Sequence, residues 1–284
     1  MLRGRESSNV EDRRGMGGKG LALGGGGIGM LLLTLVIYLC GGNDALSLFN
    51  QVTGGGGGVS QQEQPQQPPT NPNQPNRQAD DQKKFVASVL GSTEDVWRKI
   101  LPQQKRIQYQ DPKLVLFTNQ VQSACGVAGS STGPFYCPGD RKLYLDFGFF
   151  DELSRQFKAP GDFAQAYVIA HEVGHHVQNL EGTMDKVQRA GNTNDLSVKL
   201  ELQADCYAGV WAFYAKQQGL VETGDAEEAL KAASAVGDDS IQKKSQGYVV
   251  PESFTHGSSQ QRMQWYMRGF QAGDTRQCNT FGGR

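Results

Sequence analysis

Between Asp162 and Leu180 apolar residues return every three or four positions, at Ala166, Ile169, Ala170, Val173, Val177 and Leu180. That period predicts an amphipathic helix from Phe163 to Leu180, capped by Asp162 after Pro160-Gly161. A second long helix is expected from Asp195 to Gln218, with Gly219 as its stop. Asp225-Ala-Glu-Glu228 resembles a capping box and opens a third helix that ends at Gly237. A fourth runs from Ser259 to Gln271, just before Gly273. Earlier in the chain, 81–90 and 94–101 carry helical periods and 149–157 a shorter one. Lys113-Leu-Val-Leu-Phe-Thr118 and Arg141-Lys-Leu-Tyr-Leu-Asp146 have the apolar and aromatic content of strands. The stretch 126–139 between them is loop-like. The expected fold class is α+β, a few strands ahead of a mainly helical core.

The N-terminal part follows another pattern. Residues 1–20 are polar and rich in arginine, while 21–42 carry no charge and reach their apolar peak at Met30–Leu39. Such a run can span a bilayer as one helix. With the cationic flank in front, the positive-inside rule puts the N-terminus in the cytoplasm. Residues 43–79 are rich in Gly, Gln, Pro and Asn and lack the apolar content to form a core, so they read as a disordered spacer. The expected organisation is a cytoplasmic tail (1–20), a single transmembrane anchor (21–42), a linker (43–79) and a folded domain (80–284). This places the protein in the inner or plasma membrane, with the domain extracytoplasmic, either periplasmic or on the cell surface.

The 284 residues allow a sizeable core. A net charge of −1, with no block of Lys or Arg, points away from nucleic acid as a partner. Of five cysteines, Cys40 lies in the apolar run, and the absence of Cys-x-x-Cys argues against a thiolate metal site. The other four can pair in three ways. Cys125 with Cys137 is the most local closure, which leaves Cys206 with Cys278.

Candidate chemistry sits on the two long helices. Three of the four histidines lie within 171–176. His171-Glu172-Val173-Gly174-His175 places two imidazoles at i and i+4, on one helix face and within reach of one ion. Glu172 is beside them, placed to hold a metal-bound water and take its proton. A catalytic zinc needs a third protein ligand and an open position. The short zinc spacing would put a glycine and a histidine at the positions held by Gln178 and Glu181, so it does not apply. Glu201 and Asp205, again i and i+4 on a largely apolar helix, fit better. Glu201 would complete the set His171, His175 and Glu201, and Asp205 would accept the N–H of a ligand histidine. His176 lies off the metal face and reads as a helix-surface or packing residue.

These motifs, with Glu201-Leu-Gln-Ala-Asp-Cys-Tyr-Ala-Gly209, Val250-Pro-Glu-Ser-Phe-Thr-His-Gly257 and Gly273-Asp-Thr-Arg-Gln-Cys278, resemble the gluzincin clan of zinc peptidases. More narrowly, residues 162–282 are similar to the bacterial "putative neutral zinc metallopeptidase" family. Asn9-Val-Glu-Asp-Arg-Arg-Gly15 resembles that family's N-terminal signature. The resemblance implies a gluzincin-like domain behind a single membrane span, and it supplies no substrate. Thr255-His256-Gly257 also resembles a Thr-His-Pro segment of membrane-embedded zinc peptidases, with Gly257 in place of the proline. It implies that His256 faces the zinc and stabilises an oxyanion.

The reading is therefore a membrane-anchored peptidase with one Zn2+ per chain, acting on a peptide or protein substrate. Glu172 and His256 are its catalytic residues. Strand 141–146 is the expected partner for an extended substrate. The alternatives are an inactive zinc-binding scaffold and an amidase acting on a non-peptide or cell-wall substrate.

Overall fold

The structure, a computed structural model, describes residues 4–15 and 77–282. By internal contacts the chain divides into 1–24 with 84–284, and 25–83. The site and its supports lie in the first of these units.

Its sheet has four strands in the order β1-β2-β6-β5. β1 (Val10–Asp12), β2 (Lys113–Phe117) and β6 (Lys142–Asp146) run parallel, and β5 (Phe135–Cys137) lies antiparallel to β6. Leu114 pairs with Leu143 and Leu116 with Leu145, so these leucines share one face and join the main core. Val115, Phe117 and Tyr144 face the other way, into a smaller cluster with Val121 and Cys137. Burial on both faces explains why the central strands are continuously apolar instead of alternating. A hairpin of β3 (Gln120–Ser123) and β4 (Gly126–Gly129) occupies part of the stretch expected to be a loop, and the Cys125–Cys137 disulfide ties it to β5.

The two helical periods at 81–90 and 94–101 belong to one helix, α1 (Arg77–Lys105). Gly91 does not break it. A Cβ there would come within 2.1 Å of the Arg5 carbonyl oxygen, so the glycine makes room for the N-terminal segment. α2 (Gly148–Arg155) is the short helix expected after β6. α3 (Asp162–Leu180) packs against β5 and β6 and against α5 (Asn194–Gln217) and α6 (Asp225–Ala235). A helix covered on several sides carries apolar residues around most of its circumference. Asp162 is its first residue and not its cap. The capping carboxylate is Glu228 of α6, which accepts from the Phe163 N–H at 3.1 Å. Thr193 caps α5 in place of Asp195. α4 (Thr183–Arg189) and α7 (Asp238–Gln246) are additional short helices, and α8 (Ser259–Ala272) is the last long one. α8 starts with a complete capping box of Ser258 and Gln261 and stops at Gly273.

The architecture is mixed α+β and mostly helical, but the membrane expectations do not stand. Among the described residues no helix is long and apolar enough to cross a membrane. The anchor expected at 21–42 and most of the linker lie outside the described residues. The placement of the N-terminus in the cytoplasm and the domain outside is also corrected, because residues 4–15 are built into the domain. Leu114 N–H donates to the Asn9 carbonyl at 2.9 Å, Arg13 N–H to Leu116 at 2.8 Å, and Ser7 N–H to Ala87 at 2.9 Å. Segments joined by a sheet ladder cannot lie on opposite sides of a bilayer. The side chains agree. Glu94, with no exposed side-chain surface, accepts from Arg5 Nη2 at 2.6 Å, Ser7 Oγ at 2.5 Å and Asn9 Nδ2 at 2.8 Å.

Candidate metal centre

α3 and α5 cross where Gly174 meets Ala204. A Cβ on Gly174 would lie 2.9 Å from the Ala204 carbonyl oxygen, so only glycine permits this approach. The contact sets the turn carrying Glu201 and Asp205 against the turn carrying the two histidines. His171 and His175 stand with ring centroids 4.7 Å apart. His171 Nε2 is 3.1 Å from one Glu201 carboxylate oxygen, and His175 Nε2 is 3.4 Å from the other. One potential ligand atom from each of the three lies within 4.8 Å of the others.

The far side of each imidazole is held. His171 Nδ1 is 2.8 Å from Asp205 Oδ1, and His175 Nδ1 is 2.9 Å from Gln178 Oε1. Both rings therefore present Nε2 toward Glu201. Two imidazoles and a carboxylate, oriented by outer acceptors, fit a zinc ion with room for a fourth ligand. Burial disfavours charge on Glu201, but the two imidazoles overcome this and hold its carboxyl well below the usual range. On Glu172 the same effect of burial prevails, raising its carboxyl above the usual range despite the neighbouring histidines.

These residues line a cleft of about 470 Å³. Phe135 and Tyr136 of β5 form part of its wall, with Glu172, Leu200, Ile241 and His256 among the other lining residues. The strand beside the cleft is thus β5, not 141–146. β6 is paired on one side by β2 and on the other by β5, so it has no edge to offer.

Several supports were not foreseen. Gln178, at the glycine position of the short zinc spacing, also donates to the Leu200 carbonyl at 2.7 Å and to Gln203 Oε1 at 3.1 Å. Gln203 in turn donates to the Cys278 carbonyl at 2.9 Å, beside the Cys206–Cys278 disulfide. His256 sits in the cleft, its half-exposed ring 3.0 Å from Asp238 Oδ1 through Nδ1. The other Asp238 oxygen accepts the backbone N–H groups of Thr255, His256 and Gly257 at 2.7–2.9 Å. Burial works against a charge on His256, but the Asp238 hydrogen bond and the Glu201 charge outweigh it and raise the imidazole above its ordinary range. The pairing of Asp238 with a histidine 18 residues on has no local signal in the sequence. Arg262 is 4 % exposed and forks onto Asp205, with Nε 2.8 Å from Oδ2 and Nη2 3.0 Å from Oδ1. Tyr167, one turn before His171, donates to Asp205 Oδ1 at 2.5 Å.

Of the two roles expected for His176, surface or packing, burial leaves packing. Buried between Tyr109 and Tyr136, its Nε2 donates to the Gln110 carbonyl at 2.6 Å and its Nδ1 accepts from the Tyr136 hydroxyl at 3.0 Å. Desolvation lowers its imidazole to about 4.

A long helix carrying His-Glu-x-x-His, crossed by a second helix carrying a glutamate at the same point, defines a zinc-peptidase class of site. The profile of the family described as "putative neutral zinc metallopeptidase" matches residues 2–281, and the chain belongs to that family. The YpfJ protein of Escherichia coli K12 is 48 % identical over 290 residues, covering 98 % of this chain and 97 % of its own. The Mb2605 protein of Mycobacterium bovis is 45 % identical over 208 residues, 69 % of each chain. No solved structure matches the chain. Membership implies zinc as the metal and suggests a hydrolase.

Proposed function

We propose that the chain is a zinc-dependent peptidase, in which His171, His175 and Glu201 hold one metal ion and Glu172 is the general base. The observation that carries this reading is the convergence of the three ligand groups, with Glu172 beside them, in a cleft bordered by a sheet-edge strand. Bound zinc would supply a Lewis acid for the substrate carbonyl and acidify the attacking water. The chain's own residues do the rest. Glu172, raised toward neutrality by burial, takes the proton from that water and passes it to the leaving amine. Asp205 and Gln178 keep the imidazoles in the orientation that binds. Asp238 holds His256 through Nδ1, which leaves Nε2 to donate to the developing oxyanion. An extended peptide laid along the outer edge of β5 would use its unpaired backbone groups and bring a peptide bond to the site.

Metal content and peptide digestion of three proteins test the reading. The wild type should carry one zinc and cleave a peptide library. Glu201→Ala should lose the metal. Glu172→Gln should keep it and lose turnover by about 10²–10⁴-fold, since it removes a base and no ligand. Zinc retained in full by Glu201→Ala would remove Glu201 from the ligand set, and full turnover in Glu172→Gln would end the mechanism. Zinc binding without any amide hydrolysis would favour the scaffold alternative. Hydrolysis confined to cell-wall amides would favour the amidase.

A further inference from the structure

Arg262 reaches both halves of the site. Its Nε and Nη2 fork onto Asp205, the acceptor for His171, and Nη2 also approaches Tyr167 Oη at 3.4 Å. Its Nη1 donates to the Val236 carbonyl at 3.1 Å. Val236 ends α6 two residues before Asp238, the carboxylate that holds His256. The start of α8 is itself fastened to this junction. Ser259 Oγ donates to the Ser234 carbonyl at 2.7 Å, and Ser259 N–H donates to Asp239 Oδ1 at 2.6 Å.

The chemistry explains why an arginine is needed. Asp205 has no exposed surface, and a buried carboxylate keeps its charge only with a compensating partner. A planar guanidinium can satisfy both carboxylate oxygens and still spend a third N–H elsewhere. A lysine would supply the charge without the fork. With its oxygens occupied by Arg262, Tyr167 and His171, Asp205 serves as a fixed acceptor and is not free to turn toward the metal.

We infer that Arg262 is a positioning residue that couples the two sides of the centre, orienting His171 through Asp205 and His256 through the Val236–Asp238 turn. The inference rests on the peptidase reading for its purpose but not for its test. Ring-nitrogen NMR of the metal-free full chain reports directly on both histidines, and only four histidines need assignment. Asp205→Asn should shift the His171 nitrogens alone, and Asp238→Asn those of His256 alone. Arg262→Gln should shift both sets. Arg262→Lys, the variant expected to keep the buried charge balanced and the fold intact, should do so in part. By competition with a chelator, the zinc dissociation constant should rise at least tenfold in both Arg262 variants, the scale seen when outer-sphere partners of metal-binding histidines are removed. Unchanged histidine spectra and zinc affinity in folded Arg262 variants would overturn the inference. A shift confined to His171 would overturn the coupling. If the wild type cleaves no amide, the peptidase reading fails, while the histidine spectra still decide the role of Arg262.

Discussion

At the scale of single residues, three histidines on α3 divide the work. His171 and His175 turn toward Glu201, and His176, one residue on, points about 100° away and anchors β5 through Tyr136. The strand that borders the cleft is thus tied to the helix carrying His171 and His175 by a neutral, buried histidine. This gives a pH prediction with a definite sign. The folded His176 imidazole is lowered to about 4, against 6.5 when unfolded. The unfolded chain therefore binds a proton first as pH falls. The contribution is complete above pH 6.5, declines between 6.5 and 4, and is exhausted below 4. At its limit it is about 3 kcal/mol. Urea unfolding of metal-free protein across this range should show the slope, and His176→Gln should flatten it. An equal slope in both proteins would assign the effect to other groups. His256 titrates in the opposite direction. Its hydrogen bond with Asp238 holds the charged form, so Asp238→Asn should lower the upper pH limit of the proposed peptidase activity. An unmoved limit would detach His256 from the alkaline arm of the profile.

At the scale of elements, the N-terminal segment is the least expected part of the fold. It contributes an edge strand to the sheet and three donors to the buried carboxylate of Glu94. Removing residues 1–15 leaves that charge buried without them, and should cost about 3–5 kcal/mol of stability. Gly91→Ala should reproduce much of this loss by displacing the Arg5 backbone, and the two changes should not add, because both undo one docking event. Additive losses in denaturant titrations would mean that Gly91 matters for some other reason. β3 and β4 carry no hairpin signal in the sequence, because their turn, Ala124-Cys125, lacks the Asn-Gly or Asp-Gly chemistry that marks one.

At the scale of the whole molecule, the C-terminal tail is crosslinked to the helix that carries Glu201 and Asp205. Cys206 and Cys278 are 72 residues apart, a closure that contributes roughly 4 kcal/mol in the chain-entropy model. The Cys278 carbonyl also begins a hydrogen-bonded path through Gln203 and Gln178 to His175. Replacing both cysteines with serine should therefore lower the melting temperature and, below that temperature, weaken zinc retention against a chelator. Unchanged zinc affinity in the folded variant would make the crosslink purely a stabiliser.

The sequence by itself determined whatever depends on positions a few residues apart. The i, i+4 pairs His171/His175 and Glu201/Asp205 follow from helix geometry. So do the two long helices, the last helix from Ser259 and the local closure of Cys125 with Cys137. Only the tertiary structure decided which partners meet across long stretches of chain. Arg262 reaches Asp205 across 57 residues, Asp238 meets His256, and Ser7 meets Glu94 across 87. An apolar period records that a face is buried but not what covers it. A charged run at the N-terminus looks the same whether it ends in water or in a salt bridge. Residues 4–15 therefore read as a tail until their backbone is seen paired to β2.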